Sequence, residues 1–143
     1  MVEWIRKVDN MSMSPITYNA NHSYITDPQS YVKLFDNFPV DVPALCKIIQ
    51  NMIIHPYEAQ LYEVKIPKKR LKELDTRSIS LILARICELD AQPLTVERPP
   101  IKRFAGNCRD FATMLCAMLR HQGVAARVRI SDQMLYSKRN EDG

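Results

Sequence analysis

The chain predicts a mainly helical α+β domain, and three observations carry that reading. Apolar residues recur at helical spacing in several separate runs, a short run near residue 128 alternates instead, and nine prolines cut the runs apart. With 46% hydrophobic residues, 25% charged and only three glycines in 143, the composition supplies one well-filled core, and the length suits one domain rather than two. We divide the chain into an extended lead-in over 1–25 and a single domain over 26–143.

The lead-in is polar, rich in Ser, Asn and Tyr, and keeps no period. Thr26-Asp27-Pro28 then reads as a helix start, with a capping residue followed by proline, and Tyr31, Leu34, Phe35 and Phe38 repeat at i, i+3, i+4 and i+7 up to Pro39. Asp41 to Pro43 opens a second helix carrying Leu45, Ile48, Ile49, Met52 and Ile53, which is expected to stop at His55 before Pro56. After an irregular stretch, Pro67 begins a short basic helix. Asp75 is expected to cap a longer one carrying Ile79, Ile82, Leu83 and Ile86. Pro93 to Pro100 forms a proline-punctuated connector. Beyond it Phe111, Met114, Leu115, Met118 and Leu119 mark another helix, stopped at Gly123 where a left-handed cap is easily accommodated. Val124 to Ile130 alternates apolar and basic residues in its second half and reads as one strand of a half-buried sheet, and the end of the chain reads as a solvated tail.

Several function classes are set aside by composition. The formal charge of +4 is a mild excess and names no partner, and Lys68, Lys69, Arg70 and Lys72 read as a solvated basic face rather than a nucleic-acid track. No run of about 20 apolar residues exists to span a membrane, and the N-terminus carries charge where a secretory signal needs an apolar core, so a soluble cytoplasmic protein is expected. Four cysteines, at 46, 87, 108 and 116, include no C-x-x-C pair. Neither a metal site nor a disulfide framework is expected from that spacing, no phosphate-binding loop is present, and no cofactor is implied.

The chemistry concentrates at Gly106-Asn107-Cys108-Arg109-Asp110-Phe111. Cys108 stands at the first turn of its helix, where unpaired backbone N–H groups and the positive end of the helix dipole favour thiolate over thiol; Arg103 and Arg109 add positive charge nearby. Asn107 reads as the N-cap and Asp110, three residues on, as its reciprocal partner. Cys46, Cys87 and Cys116 are expected to be small buried hydrophobes. The Cys108 N–H is a natural donor to an oxyanion, but no second donor can be identified from sequence. Of the three histidines, His121 lies 13 residues along the helix from Cys108, roughly 20 Å away. It is therefore too distant to act as a base. His55, before Pro56 at a helix end, reads as structural or capping, and His22 lies in the lead-in.

These residues resemble the cysteine motif of the transglutaminase-like superfamily: Gly106 to Ala112, the helix through Arg120, and Gly123-Val124-Ala125-Ala126-Arg127-Val128 follow in the family's order. Ile54-His55-Pro56-Tyr57-Glu58-Ala59 is also similar to bacterial members. The resemblance implies a transglutaminase-like, papain-like fold in which Cys108 attacks a protein or peptide amide carbonyl, an amine leaves, and water or another amine resolves the thioester. It also implies a histidine and an aspartate on later strands. On that pattern the histidine strand is expected where the sequence ends at Gly143, so the 143-residue chain is expected to lack most of the sheet and the triad partners and to be inactive alone. Phe111, Met114, Leu115 and Met118 are then expected to lie open, calling for a homo-oligomer or a partner chain to cover them. The competing expectation is a non-catalytic helical interaction or structural module.

Overall fold

The structure is a computed structural model that describes residues 22–128 and the backbone of residues 5–7. Within that span the order is strand β1 (Ile5–Lys7), helix α1 (Val42–Met52), strand β2 (Ile53–Ile54), helix α2 (Ile79–Leu89), strand β3 (Phe104–Ala105), helix α3 (Cys108–His121) and strand β4 (Ala126–Val128). Four 3-10 segments, Gln29–Phe35, Ala59–Tyr62, Lys68–Asp75 and Pro100–Lys102, join these elements. The architecture is α+β and mainly helical.

Helix α1 starts where the sequence places it, since the Asp41 carboxylate accepts the Ala44 N–H at 3.2 Å. It ends at Met52 rather than His55, because the β-branched pair Ile53-Ile54 turns into strand β2. The start of α2 is also later than Asp75. Its cap is Ser78, whose side chain makes no capping bond, and the Ile79 N–H is taken instead by the Ile25 carbonyl at 2.8 Å. A backbone group from a distant turn thus does the work expected of a local carboxylate.

The segment expected to be the first helix is a 3-10 coil. Thr26 joins a turn with Ser23, Asp27 Oδ1 accepts the Gln29 N–H at 2.8 Å, and Gln29 sits at φ 50°. The polar side chains that resemble a helix start are spent on turns, which is the alternative use of the same residues. Only Phe35 of the four stripe residues is buried; Tyr31, Leu34 and Phe38 pack at the edge of the core.

One cluster joins the three helices. Leu45, Ile49 and Met52 from α1, Ile79, Ile82, Leu83 and Ile86 from α2, and Met114, Leu115 and Met118 from α3 are essentially inaccessible to solvent. Each such aliphatic side chain contributes about 1.5–3 kcal/mol on burial. Phe111, Met114, Leu115 and Met118, expected to lie open, are therefore covered by the chain's own core, to which the strand residues Ile53, Phe104 and Ala126 also contribute. Helix α3 is buried all round from Asp110 to Leu119, because Ala112, Cys116 and Ala117 on its second face are small enough to let neighbours approach. It is the central element rather than a surface helix with one apolar stripe.

Strand β4 pairs antiparallel with β1, Ile5 opposite Val128 and Lys7 opposite Ala126. Ala126 is buried while Arg127 and Val128 are exposed, so the expected alternation holds only at its start. The remainder of that run, Arg129-Ile130, lies outside the described residues, as does the tail. Gly123, at φ 78°, ends the α3 turn in the left-handed conformation anticipated for it. Among the described residues no helix is long and apolar enough to cross a membrane.

Candidate active site

Two very short strands build the site. β2 and β3 pair in parallel, Ile53 with Phe104 and Ile54 with Ala105, and the Gly106 N–H extends the ladder to the Ile54 carbonyl at 3.0 Å. Parallel pairing brings the C-terminal ends of both strands to one edge. The residue that follows β2 is His55, and the loop that follows β3 delivers Cys108. Both line one open cleft of about 400 Å³, together with Gln50, Glu58, Tyr62, Arg103 and Phe111.

Cys108 begins α3. Asn107 Oδ1 accepts the Asp110 N–H at 3.3 Å while Asp110 Oδ2 accepts the Asn107 N–H at 3.0 Å, a complete capping box. The box fixes the turn on which the thiol stands. Burial raises the Asp110 carboxyl above its usual range, opposed by the Asn107 N–H and by Arg109. Gly106 is required by space: a Cβ there would stand 2.7 Å from Ile53 Cγ2 and 3.2 Å from Asp110 Cβ. Cys108 is exposed to solvent. Cys116 is buried as expected, with Sγ 3.5 Å from the Ala126 carbonyl, whereas Cys46 and Cys87 are only half-buried.

The strand that leads into the cysteine loop is held by a buried ion network. Glu73 accepts the Ala105 N–H at 2.9 Å, Arg70 Nε at 3.0 Å and Arg85 Nε at 3.1 Å, while the Arg70 guanidinium also donates to the carbonyls of Ile101 and Arg103. Burial pushes the Glu73 carboxyl up, but the bonds from Arg70, Ala105 and Arg85 outweigh it and leave the group below its ordinary value. This corrects the reading of the basic run: Lys68, Lys69 and Lys72 are exposed, but Arg70 is a buried structural cation. Arg103 is also buried. It donates to the Arg98 carbonyl at 2.9 Å and lies 5.3 Å from the Tyr62 ring centroid, which places a fixed cation in the cleft wall.

The histidines separate clearly. His121 faces Asp36, with Nε2 3.5 Å from Oδ1, and packs edge-on to Phe35; His22 faces Thr26. Only His55 lines the cleft. Its carbonyl accepts the Glu58 N–H at 2.9 Å and its Nδ1 the Tyr57 N–H at 3.2 Å, so it also organises the turn after β2. His55 is structural, as one of the two sequence readings had it, but it follows a strand and caps no helix; the shared cleft was missed because two-residue strands paired across about 50 positions leave no periodic trace. Among the described residues no group of three His, Cys, Asp or Glu side chains converges in a way that would hold a metal ion.

This geometry describes an exposed thiol at the head of a buried helix, in one cleft with a histidine and a fixed cation. Residues 80–139 match the family model of the transglutaminase-like superfamily. That part of the chain is transglutaminase-like, and it contains the whole cysteine loop and α3. No curated protein and no solved structure matches the chain.

Proposed function

We propose that the cleft serves thiol-dependent acyl transfer or amide hydrolysis, with Cys108 as nucleophile, a protein or peptide amide as substrate, and the base and orienting acid supplied from outside the described residues. The observation that carries this reading is the exposed Cys108 at the α3 N-terminus, inside a cleft and inside the segment matched by the family model. The thiol proton passes to a base outside the described residues, the sulfur forms a bond to the amide carbon, the carbonyl π pair moves to oxygen, and collapse expels the amine, which takes that proton from the same base. Water or a second amine then attacks the thioester, giving an acid or a new amide and restoring the thiol. The unbonded N–H groups at the start of α3 face the developing negative charge. An extended substrate is favoured by the openness of the cleft and by Tyr57, Leu61 and Tyr62, which are 82%, 77% and 49% exposed along the turn that flanks it.

A hydroxamate-forming assay tests the proposal, with a glutamine-containing peptide as acyl donor and hydroxylamine as acceptor. Any product formed by the intact chain is expected to depend on Cys108 and to be absent from Cys108→Ala. Equal signals from the two would remove the catalytic role and leave the non-catalytic module as the better account.

A further inference from the structure

We infer that His55 is a hydrogen-bond donor to the carbonyl oxygen under attack, the second arm of an oxyanion hole whose first arm is the Cys108 N–H. This inference rests on the proposed chemistry at Cys108 and assigns a role within it. Two independent features carry it. The parallel β2–β3 pair places His55 and Cys108 on the same cleft. The Tyr57 N–H, donating to Nδ1 at 3.2 Å, then fixes the imidazole's tautomer. A neutral imidazole has one N–H, so a nitrogen that accepts leaves the proton on the other. With Nδ1 committed as acceptor, Nε2 carries hydrogen and can donate but not abstract. The ring is further held by Tyr57, whose centroid lies 5.3 Å away at 32°.

This arrangement is the opposite of the one a general base needs. A histidine that takes a proton from a thiol requires a bare nitrogen toward the sulfur, usually enforced by an acceptor on the far nitrogen. Here the far nitrogen meets a donor. During attack the carbon–sulfur bond forms and the carbonyl π pair moves onto oxygen; His55 keeps its proton throughout and supplies only a hydrogen bond. A donor whose tautomer is held by the backbone needs little reorganisation as the charge develops, which is the condition for oxyanion stabilisation.

An activated ester and an alkylating agent tell the roles apart. Acylation of Cys108 by 4-nitrophenyl acetate passes through an oxyanion and expels nitrophenolate without needing an acid, whereas displacement of iodide from iodoacetamide forms no oxyanion. His55→Ala is expected to slow acylation about 10²-fold, the usual loss for one oxyanion donor, while His55→Gln, which keeps an N–H donor, recovers most of it. Alkylation of Cys108 is expected to proceed at the wild-type rate in both variants. A parallel fall of acylation and alkylation in both variants would overturn the inference in favour of a base, and unchanged acylation in His55→Ala would overturn it outright. A nitrophenolate burst that survives in Cys108→Ala would instead overturn the proposed nucleophile, and the donor role with it.

Discussion

Replacing Glu73 by alanine removes the carboxylate that anchors the cysteine loop, and the cost follows from what is left behind. The Arg70 side chain is only 9% exposed and would lose its carboxylate partner, while the Ala105 N–H would lose its acceptor. Breaking a buried ion pair by removing one partner costs about 3–5 kcal/mol. At ~4 °C per kcal/mol for a domain of this size, the midpoint of thermal unfolding is expected to fall by about 12–20 °C. Glu73→Gln keeps the shape and an acceptor oxygen but not the charge, and is expected to lose about half as much. The pH dependence has a definite sign. The folded state holds the Glu73 carboxyl below its ordinary value of 4.5, so its stabilisation is fully present above that pH and is lost as pH falls through the lower folded value. Circular dichroism melts of wild type and Glu73→Gln should therefore differ at pH 7 and converge in acid, where the wild-type carboxyl is itself neutral. A gap that stays constant from pH 7 into acid, or a Glu73→Ala melt within about 2 °C of wild type, would refute the reasoning.

Three further substitutions test the loop and its supports. Gly106→Ala drives a Cβ to within 2.7 Å of Ile53 Cγ2 and is expected to cost about 1–3 kcal/mol in urea titration, with part of the loss recovered when combined with Ile53→Ala. Asn107→Ala removes one half of the capping box and is expected to cost about 1 kcal/mol by the same measurement, whereas Asn107→Asp should be close to neutral. Arg98 is fully buried, donates to the carbonyls of Asp90 and Gln92 at 3.2 and 2.6 Å, and has no carboxylate partner among the described residues. Arg98→Met is expected to lower the melting midpoint by about 8 °C, corresponding to about 2 kcal/mol, since it frees the connector carbonyls without stranding an opposite charge.

The parts of this fold that sequence made legible are those governed by neighbours in the chain. The Asp41 cap, the α1 and α2 stripes, the Asn107–Asp110 box and the Gly123 stop all depend on residues within one or two turns, and each lies where local chemistry puts it. The same local signals misled where a distant group competed. Asp75 was displaced as a helix cap by the Ile25 carbonyl, and Thr26 and Asp27 were drawn into turns instead of an α-helix. The covering of Phe111 and Met118 was likewise illegible, because it depends on how α1, α2 and the short strands, with Ile53, Phe104 and Ala126, close over α3 from distant parts of the chain. At the site, the cysteine and its cap were readable from six consecutive residues. The cleft partner was not: His55 reaches it through a parallel pairing of Ile53-Ile54 with Phe104-Ala105, and Glu73 reaches that strand from 32 residues away.

The central claim is that Cys108 accepts an acyl group from an amide. Its most direct test is to incubate the intact chain with an unactivated glutamine peptide, quench in acid, and map the adduct by peptide mass. The account predicts one acyl group, on the peptide containing Cys108, removed by hydroxylamine and absent from Cys108→Ala. An acyl group found instead on the half-buried Cys46 or Cys87, or no adduct with a chain whose Cys108 still alkylates freely, would contradict it.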